Sequence, residues 1–518
     1  MAATWSIRIF ASKNFKPRLK FSGGKIMSEK PESRRSFLKQ SAAASIAASQ
    51  FASLAPLQAH QSNERLRIGI IGPGRRGFGS HVKTLVKLRN EKGANLDITG
   101  INDVYSVHRD QAVNFIKKET GHTPKTYKDY RDLLNDKEID AVCIATPDHW
   151  HAKQVLDALK AGKHVYCEKP MTHHISEAMD VVAAWKQSGL VVQVGVQATS
   201  MPIWNEVRAL VDEGKLGKIV QFQAEWFRNS LGGMSRHNVI TKEMTPQTVD
   251  WKRWLGVEEG LAPDLPFDRA TYGQWRCYWP FGYGMLSDLF VHRITSLLKA
   301  TGLMYPGRVV GGGGIFLEYD DREVTDVASI IADFHEGVQG LISSTMVSSE
   351  VPIRHLIRGH HGTVVFDKNV FGQRQAYEFI PERKQVTLDS QLKREEVISE
   401  QVPDQTLLHF ENFLAAIKAG DPTMVNNSPE LGAAAVMMVT LAVQSYREGK
   451  VFQVERDSLK INNGDSSWAD NWETMSKGRS KPRHVAGWHA GDRGSILIPP
   501  KYQKLAGPWI DGKPPENT

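Results

Sequence analysis

LRIGIIGPGRRG, Leu66 to Gly77, decides how the rest of the chain is read. Its first half is an apolar, β-rich run; its second half is a GxGxxG in which each glycine has its own task. Gly72 allows a tight turn, Gly74 lets backbone approach a pyrophosphate, and Gly77 lets the next helix pack on the strand. The helix start then faces the phosphates with unpaired N–H groups. A GxGxxG alone is weak, so the following strand matters. LDITGIND (96–103) ends in Asp103, a carboxylate placed to accept hydrogen bonds from an adenosine ribose. Together these features predict a dinucleotide-binding domain. Asp103 favours NAD, because a 2′-phosphate beside a carboxylate is repelled. Arg75 and Arg76 keep NADP open, or are solvated loop charges.

Outward from that segment the chain alternates strand-like and helix-like stretches. IDAVCIAT (139–146), HVYCEKP (164–170) and VVQVGVQ (191–197) are further β-rich runs, separated by amphipathic stretches such as Ser176 to Gln187. This rhythm predicts an α/β fold whose first domain, 64–200, is a doubly wound parallel sheet, a Rossmann domain. After residue 200 the pattern changes. A helix over Ile203–Glu213 is followed by VQFQAEWF, a Trp-rich connection, and the alternating runs VASIIADF (327–334) and GLISSTMV (340–347). A second α/β domain, 201–463, with a large, mainly antiparallel sheet is expected. Helices over Thr406–Ala419 and Pro429–Glu448 should pack back on the body, and 464–518 reads as a tail wrapping it.

With 41% hydrophobic and 24% charged residues the composition is that of a globular protein. The net charge of +8 is not spread over it. Residues 1–39 hold ten Lys or Arg against Glu29 and Glu32, so the remainder is formally neutral. A basic footprint for nucleic acid is therefore absent from the body. Within that basic segment, SRRSFLK (33–39) with Arg34 and Arg35 has the form of a twin-arginine signal. It precedes a mildly apolar run of small residues with a cleavage site after Ala59. A leader over 1–60, passage through the twin-arginine translocase and a periplasmic or otherwise exported location are expected, with no stable membrane span. Met1 and Met27 are both possible starts. Cys143, Cys167 and Cys277 have no metal-ligand spacing and read as buried free thiols, and no metal site is expected.

Chemistry concentrates at strand ends. TPDHWHA (146–152) follows one β-rich run, at the sheet edge where ligands bind, so Thr146, Pro147, Trp150 and His151 are assigned to the cofactor. His149 and His151 have an alternative role in capping or solvating a helix start. CEKP (167–170) ends the next run. Glu168 and Lys169 there stand beside the nicotinamide, with Lys169 placed to share a proton with a substrate hydroxyl; the alternative is a surface Lys169–Glu168 pair.

GPGRRG, TPDHWHA and CEKP, in this order and spacing, resemble the Gfo/Idh/MocA oxidoreductases over residues 65–455, most closely in the N-terminal half. The resemblance implies that Lys169 is catalytic. It also implies a D-x-x-x-H pair, matched by Asp288 and His292 in GYGMLSDLFVHRIT, whose i, i+4 spacing puts both side chains on one helix face. A carboxylate that orients substrate and an imidazole that takes its proton form a workable pair; a structural helix pair is the alternative. Tyr283 interrupts the glycine run before Asp288, and Thr295 stands where the family often has an acid, so the substrate class does not carry over. Trp251, Trp254, Arg276, Tyr278 and Trp279 resemble exported bacterial members. The resemblance further implies an oligomer of identical chains, formed through the open sheet.

The expected function is an NAD(P)-dependent oxidoreductase acting by hydride transfer on a hydroxyl of a sugar, sugar derivative or cyclitol, with tightly held cofactor. A redox-assisted glycoside hydrolase or lyase, working through a transient keto-sugar on bound NAD, is the alternative. The family branch that cleaves N-acetylgalactosaminides departs from EKP, and Lys169 argues against it. A non-catalytic sugar-binding protein would be expected to lack Lys169, Asp288 and His292.

Overall fold

The computed structural model describes residues 64–230, 233–236, 238–372, 374–387 and 391–465. The expected leader and twin-arginine signal, and all but the start of the expected tail, lie outside the described residues. No helix among the described residues is long and apolar enough to cross a membrane.

The first sheet contains β1 (Leu66–Ile71), β2 (Leu96–Asn102), β3 (Lys125–Tyr127), β4 (Ala141–Ile144), β5 (His164–Glu168) and β6 (Val192–Gly195). Their order is β3-β2-β1-β4-β5-β6, with every neighbouring pair parallel. Strands covered on both faces can be continuously apolar, and the AVCI of β4 is buried throughout. All three cysteines are buried and free. β3 is an addition to the expected strands; its sequence, KTY, is too short and too polar to announce itself. The order reverses between β1 and β4. Such a switch point opens a crevice at the strands' carboxyl ends, where ligands bind.

One face of this sheet packs on Leu85, Val86, Ala112 and Ile116 and on Phe410 and Phe413 from the late helix Gln405–Ala419. Tyr166 of β5 stacks on Phe410 with ring centroids 4.2 Å apart. The other face takes Val155, Leu159, Val181 and Trp185 together with Ala433 and Val436. The latter two belong to the helix Pro429–Glu448, which starts at a Ser428 side-chain cap with proline in its first turn and ends at a left-handed Gly449. Met437, Met438 and Leu441 of the same helix lie in the core of the second sheet. One helix thus serves two cores, and the late helices return to the first sheet although they are remote from it in sequence.

Among the described residues the second sheet has eleven strands, and of its pairs only Ile219–Asn229 with Val338–Thr345 is parallel. Along Val327–Phe334, Ile330 is fully buried while Ile331 is 37% exposed, so one face is covered and the other open.

Between this sheet's first strand and the helix Val291–Thr301, the chain crosses back to the first sheet. Asp250 N donates to Val104 O and Ser106 N to Thr248 O, both at 3.0 Å, around a Tyr105–Val249 bridge. Trp251 stacks on Trp254 at 4.7 Å, and both bury with Tyr105, Tyr272 and Phe281. The tryptophans are thus a fastening, held against the segment that follows β2.

The glycine loop has the expected geometry. Gly72 sits at φ +81°, and a Cβ on Gly77 would lie 2.2 Å from the carbonyl oxygen of Gly72, a clash with backbone that no rotamer relieves. Gly79, two residues on, has nothing within 4 Å of such a Cβ. Gly77→Ala should therefore lower the melting temperature and abolish NAD binding, whereas Gly79→Ala should bind NAD normally and gain up to about 1 kcal/mol from helix propensity. Thermal melts with and without NAD distinguish the pair; equal behaviour would contradict the loop geometry.

Candidate active site

A cavity of about 1170 Å³ follows the carboxyl ends of the first sheet's strands. Gly72, Gly74, Arg75, Arg76, Asp103, Thr146, Pro147, Trp150, His151, Glu168, Lys169, Asp288 and His292 all line it. Gly77, the remaining predicted residue, is buried beneath the loop. β2 and β5 are separated by β1 and β4, so Asp103 and Lys169 stand roughly 14 Å apart across three strand spacings. That is a span suited to an extended dinucleotide.

At one end, Asp103 Oδ1 accepts from Tyr105 N at 2.9 Å, and His108 Nδ1 lies 3.1 Å from Oδ2. The carboxylate is oriented by its own turn and by a His that also packs under Gly74. Arg75 reaches out of the glycine loop to Asn238 Oδ1 at 2.5 Å, in the crossing segment. Arg76 turns inward instead: its Nε donates to Glu168 Oε1 at 2.7 Å and its Nη1 to Ser80 Oγ at 2.9 Å. Neither arginine is simply a solvated loop charge. Burial opposes ionisation of Glu168, but Arg76 and the His81 Nε2 contact at 3.0 Å hold it well below the usual carboxylate range.

The TPDHWHA segment forms the start of the helix Asp148–Lys160, with Pro147 as its N-cap. His149 and His151 are buried, not solvated. His149 Nε2 and Trp150 Nε1 both point at Trp254 O, at 3.1 and 2.7 Å, tying this helix to the crossing segment. His151 stands between Pro170 O at 2.7 Å and Thr146 O at 2.9 Å. Two carbonyls ask for two N–H donors, as only the imidazolium has, while burial pushes the group toward its neutral form. In either state His151 joins the loops after β4 and β5.

At the other end Lys169 is buried and its partner is Asp288, not Glu168. Nζ donates to Asp288 Oδ1 at 2.5 Å and to its carbonyl oxygen at 2.7 Å. An ammonium has three donors, so one is left over. Arg276 Nε lies 3.0 Å from the same Oδ1, in ion-pair contact without hydrogen-bond alignment. Burial works against charge on Asp288, but Lys169 and Arg276 hold its carboxyl far below the ordinary range. His292 packs on Trp226 with centroids 5.6 Å apart, and burial, reinforced by Lys169, lowers its pKa well below the usual imidazole value. Its imidazole is neutral at pH 7 and able to accept a proton. Thr295 faces its own helix, donating to Val291 O at 2.5 Å. No group of three or more His, Cys, Asp or Glu among the described residues is placed to hold a metal ion.

A model for an oxidoreductase family with an NAD-binding Rossmann fold, the GFO/IDH/MocA family, matches residues 66–196, and the model of that family's C-terminal alpha/beta domain matches residues 262–455. The chain belongs to this family. It is 32% identical over 190 residues to an inositol 2-dehydrogenase/D-chiro-inositol 3-dehydrogenase of Lactiplantibacillus plantarum, covering 36% of this chain and 52% of that one. It is also 30% identical over 246 residues to a glycosyl hydrolase family 109 protein of Shewanella baltica, covering 43% and 50%. The chain thus spans about half the length of the curated relatives it matches. Among solved structures, a levoglucosan dehydrogenase in complex with NADH and levoglucosan shares the fold at a TM-score of 0.57 and 19% identity, over 76% of this chain and all of that one.

The residues of this family member suit an NAD-type dinucleotide. The glycines leave a cradle that side chains would fill, and Asp103 stands where a ribose would lie. Three features were not read from the sequence: the Arg76–Glu168 lock, Arg276 on Asp288, and Asp148. Nothing in a linear pattern pairs residues 92 positions apart. Asp148 sits inside a quoted motif, but its burial was not visible there. It is 1% exposed, Oδ2 accepts from Ser287 Oγ at 3.2 Å, and Oδ1 has no partner. Burial raises its pKa to about 7 against the pull of Arg276 and Lys169.

A carboxyl raised in the folded state binds its proton there while the unfolded chain has lost it. Stability is therefore fully present near pH 4 and declines as pH rises toward 7. Asp148→Asn should melt above wild type at pH 8, with the difference shrinking as pH falls to 5. A pH-independent difference in melting temperature would contradict the assignment.

Proposed function

We propose that this protein oxidises a hydroxyl of a sugar, sugar derivative or cyclitol, using a nicotinamide cofactor that it keeps bound. The observation that carries the reading is the convergence of Lys169, Asp288 and His292 at the far end of a cavity whose other end has the glycine loop and Asp103. A bound nicotinamide supplies a hydride acceptor and donor. The chain supplies the proton chemistry. Neutral His292 takes the hydroxyl proton, and the unused donor of Lys169 hydrogen-bonds the oxygen as it gains negative charge. Asp288 keeps Lys169 aimed.

Retention of cofactor is supported by the crossing segment. It is joined to the loop after β2 through Val104 and Ser106, to the glycine loop through Arg75, and to the helix after β4 through Trp254 O. It thus spans the cofactor groove. Export through the twin-arginine route, proposed from SRRSFLK, gives this closure a purpose, since that route carries folded proteins and a bound ligand stabilises the folded form. A cofactor that does not leave must be restored in each cycle. A second substrate can be reduced, or a transient keto-sugar can permit elimination before it is reduced back. The glycosyl hydrolase relative favours keeping the second route in view.

Lys169→Ala and His292→Ala should each lower turnover by about 10² to 10⁴ while leaving nicotinamide content unchanged, because neither is needed at the pyrophosphate. Unimpaired turnover in both would refute the roles. Because His292 is held neutral, the acid limb of kcat/KM should lie below the pH at which an ordinary imidazole titrates. A limb near pH 6.5 that disappears in His292→Ala would show an unperturbed base.

A further inference from the structure

We infer that the substrate is an anionic sugar, bearing a carboxylate or sulfate group that Arg228 receives. This inference rests on the sugar-oxidising reading above. Among the Lys, Arg, Asp and Glu side chains that line the reactive end of the cavity, Arg76, Lys169, Arg228 and Arg276 stand against Glu168 and Asp288, with Asp148, its pKa raised to about 7, buried beside them. Arg76 is matched by Glu168, while Lys169 and Arg276 share Asp288. Four cations less two anions leave two positive charges, and an oxidised nicotinamide would add a third.

Among the described residues, Arg228 is the one of these four cations with no carboxylate partner. It follows Trp226 by two residues on the strand Ile219–Asn229, so both side chains leave the same face. Its guanidinium lies 5.8 Å from the Trp226 ring, and that ring packs against His292. Arg228 is thus one aromatic ring away from the proposed base. Its hydrogen-bond-range contact among the described residues is the Sδ of Met234, at 3.6 Å. A half-buried guanidinium whose described neighbours are a thioether and an aromatic ring lacks a countercharge, which favours a ligand that brings one.

The neighbours support the same ligand. Arg293, sandwiched between Trp226 at 4.1 Å and Phe371 at 3.5 Å, fixes the tryptophan from behind and donates to Glu225 O. Glu225 is itself taken by His355 and by the backbone of Phe227, so it does not neutralise Arg228. Trp226 and Arg228 line the cavity beside His292, so a sugar held against His292 would bring a ring substituent toward the Arg228 guanidinium.

The test is isothermal titration of the cofactor-loaded full chain with matched ligands: galactose, galacturonate and galactose 6-sulfate, and the corresponding glucose set. An anionic member should bind about tenfold or more tightly than its neutral partner, as a charge-assisted hydrogen bond provides. The preference should vanish in Arg228→Gln, persist in Arg228→Lys, and shrink with added salt. Which anion wins separates a sugar acid from a sulfated sugar. Equal or tighter binding of the neutral sugars, no binding by either anionic class, or an undiminished preference in Arg228→Gln would overturn the inference. If the preference and its loss are seen but no sugar changes the nicotinamide absorbance, the anion site stands and the oxidation reading fails.

Discussion

The ion pair between Lys169 and Asp288 is the constraint around which the site is arranged. Lys169 directly follows β5 of the first sheet, and Asp288 lies in the first turn of the helical region Leu286–Phe290 that precedes the helix Val291–Thr301. Their contact at 2.5 Å brings a cofactor edge and a substrate wall together. Burying both charges is costly unless each is well compensated. Here Arg276 supplies a second cation for Asp288, and the Asp288 carbonyl a second acceptor for Lys169. The arrangement leaves His292 neutral beside a fixed ammonium, a pairing that suits removal of a proton from an alcohol.

A second lock, Arg76 on Glu168, lies one residue away and ties the glycine loop to the same strand end. His151 adds a third by joining the carbonyls of Thr146 and Pro170. Three consecutive loops at one sheet edge are therefore held by side chains inside the motifs themselves. The crossing segment covers them with aromatic packing, and its Arg253 and Glu259 pair with Asp129 and Arg131 of the first domain. A groove spanned in this way is what the proposed retention of cofactor requires.

Much of this was legible in the sequence because the relevant signals are local. β-rich runs marked β1, β2, β4, β5 and β6, and a helical pattern marked Pro429–Glu448 with the bounds the structure shows. The strand-end positions of Lys169 and Asp103 followed from the same runs. What was hidden is long-range. The three residues of β3 have no hydrophobic period, and the Trp-rich connection between the sheets reads as linker until its tryptophans are seen to bury against Tyr105. Asp148 carries no mark that distinguishes a buried helix start from a solvated one. The partner of Lys169 was named in the same reading, yet only the fold makes the two residues touch.

The proposed reaction works on a sugar hydroxyl with a nicotinamide that the protein does not release. The most direct measurement follows 340 nm absorbance of the gel-filtered full chain, without added NAD, as sugar is supplied and the mixture is then passed through a protein-retaining membrane. A nicotinamide signal of at most one equivalent per chain, staying with the protein, is expected. A protein that elutes without nicotinamide yet turns over when NAD is added, with NADH accumulating in the filtrate, would contradict it.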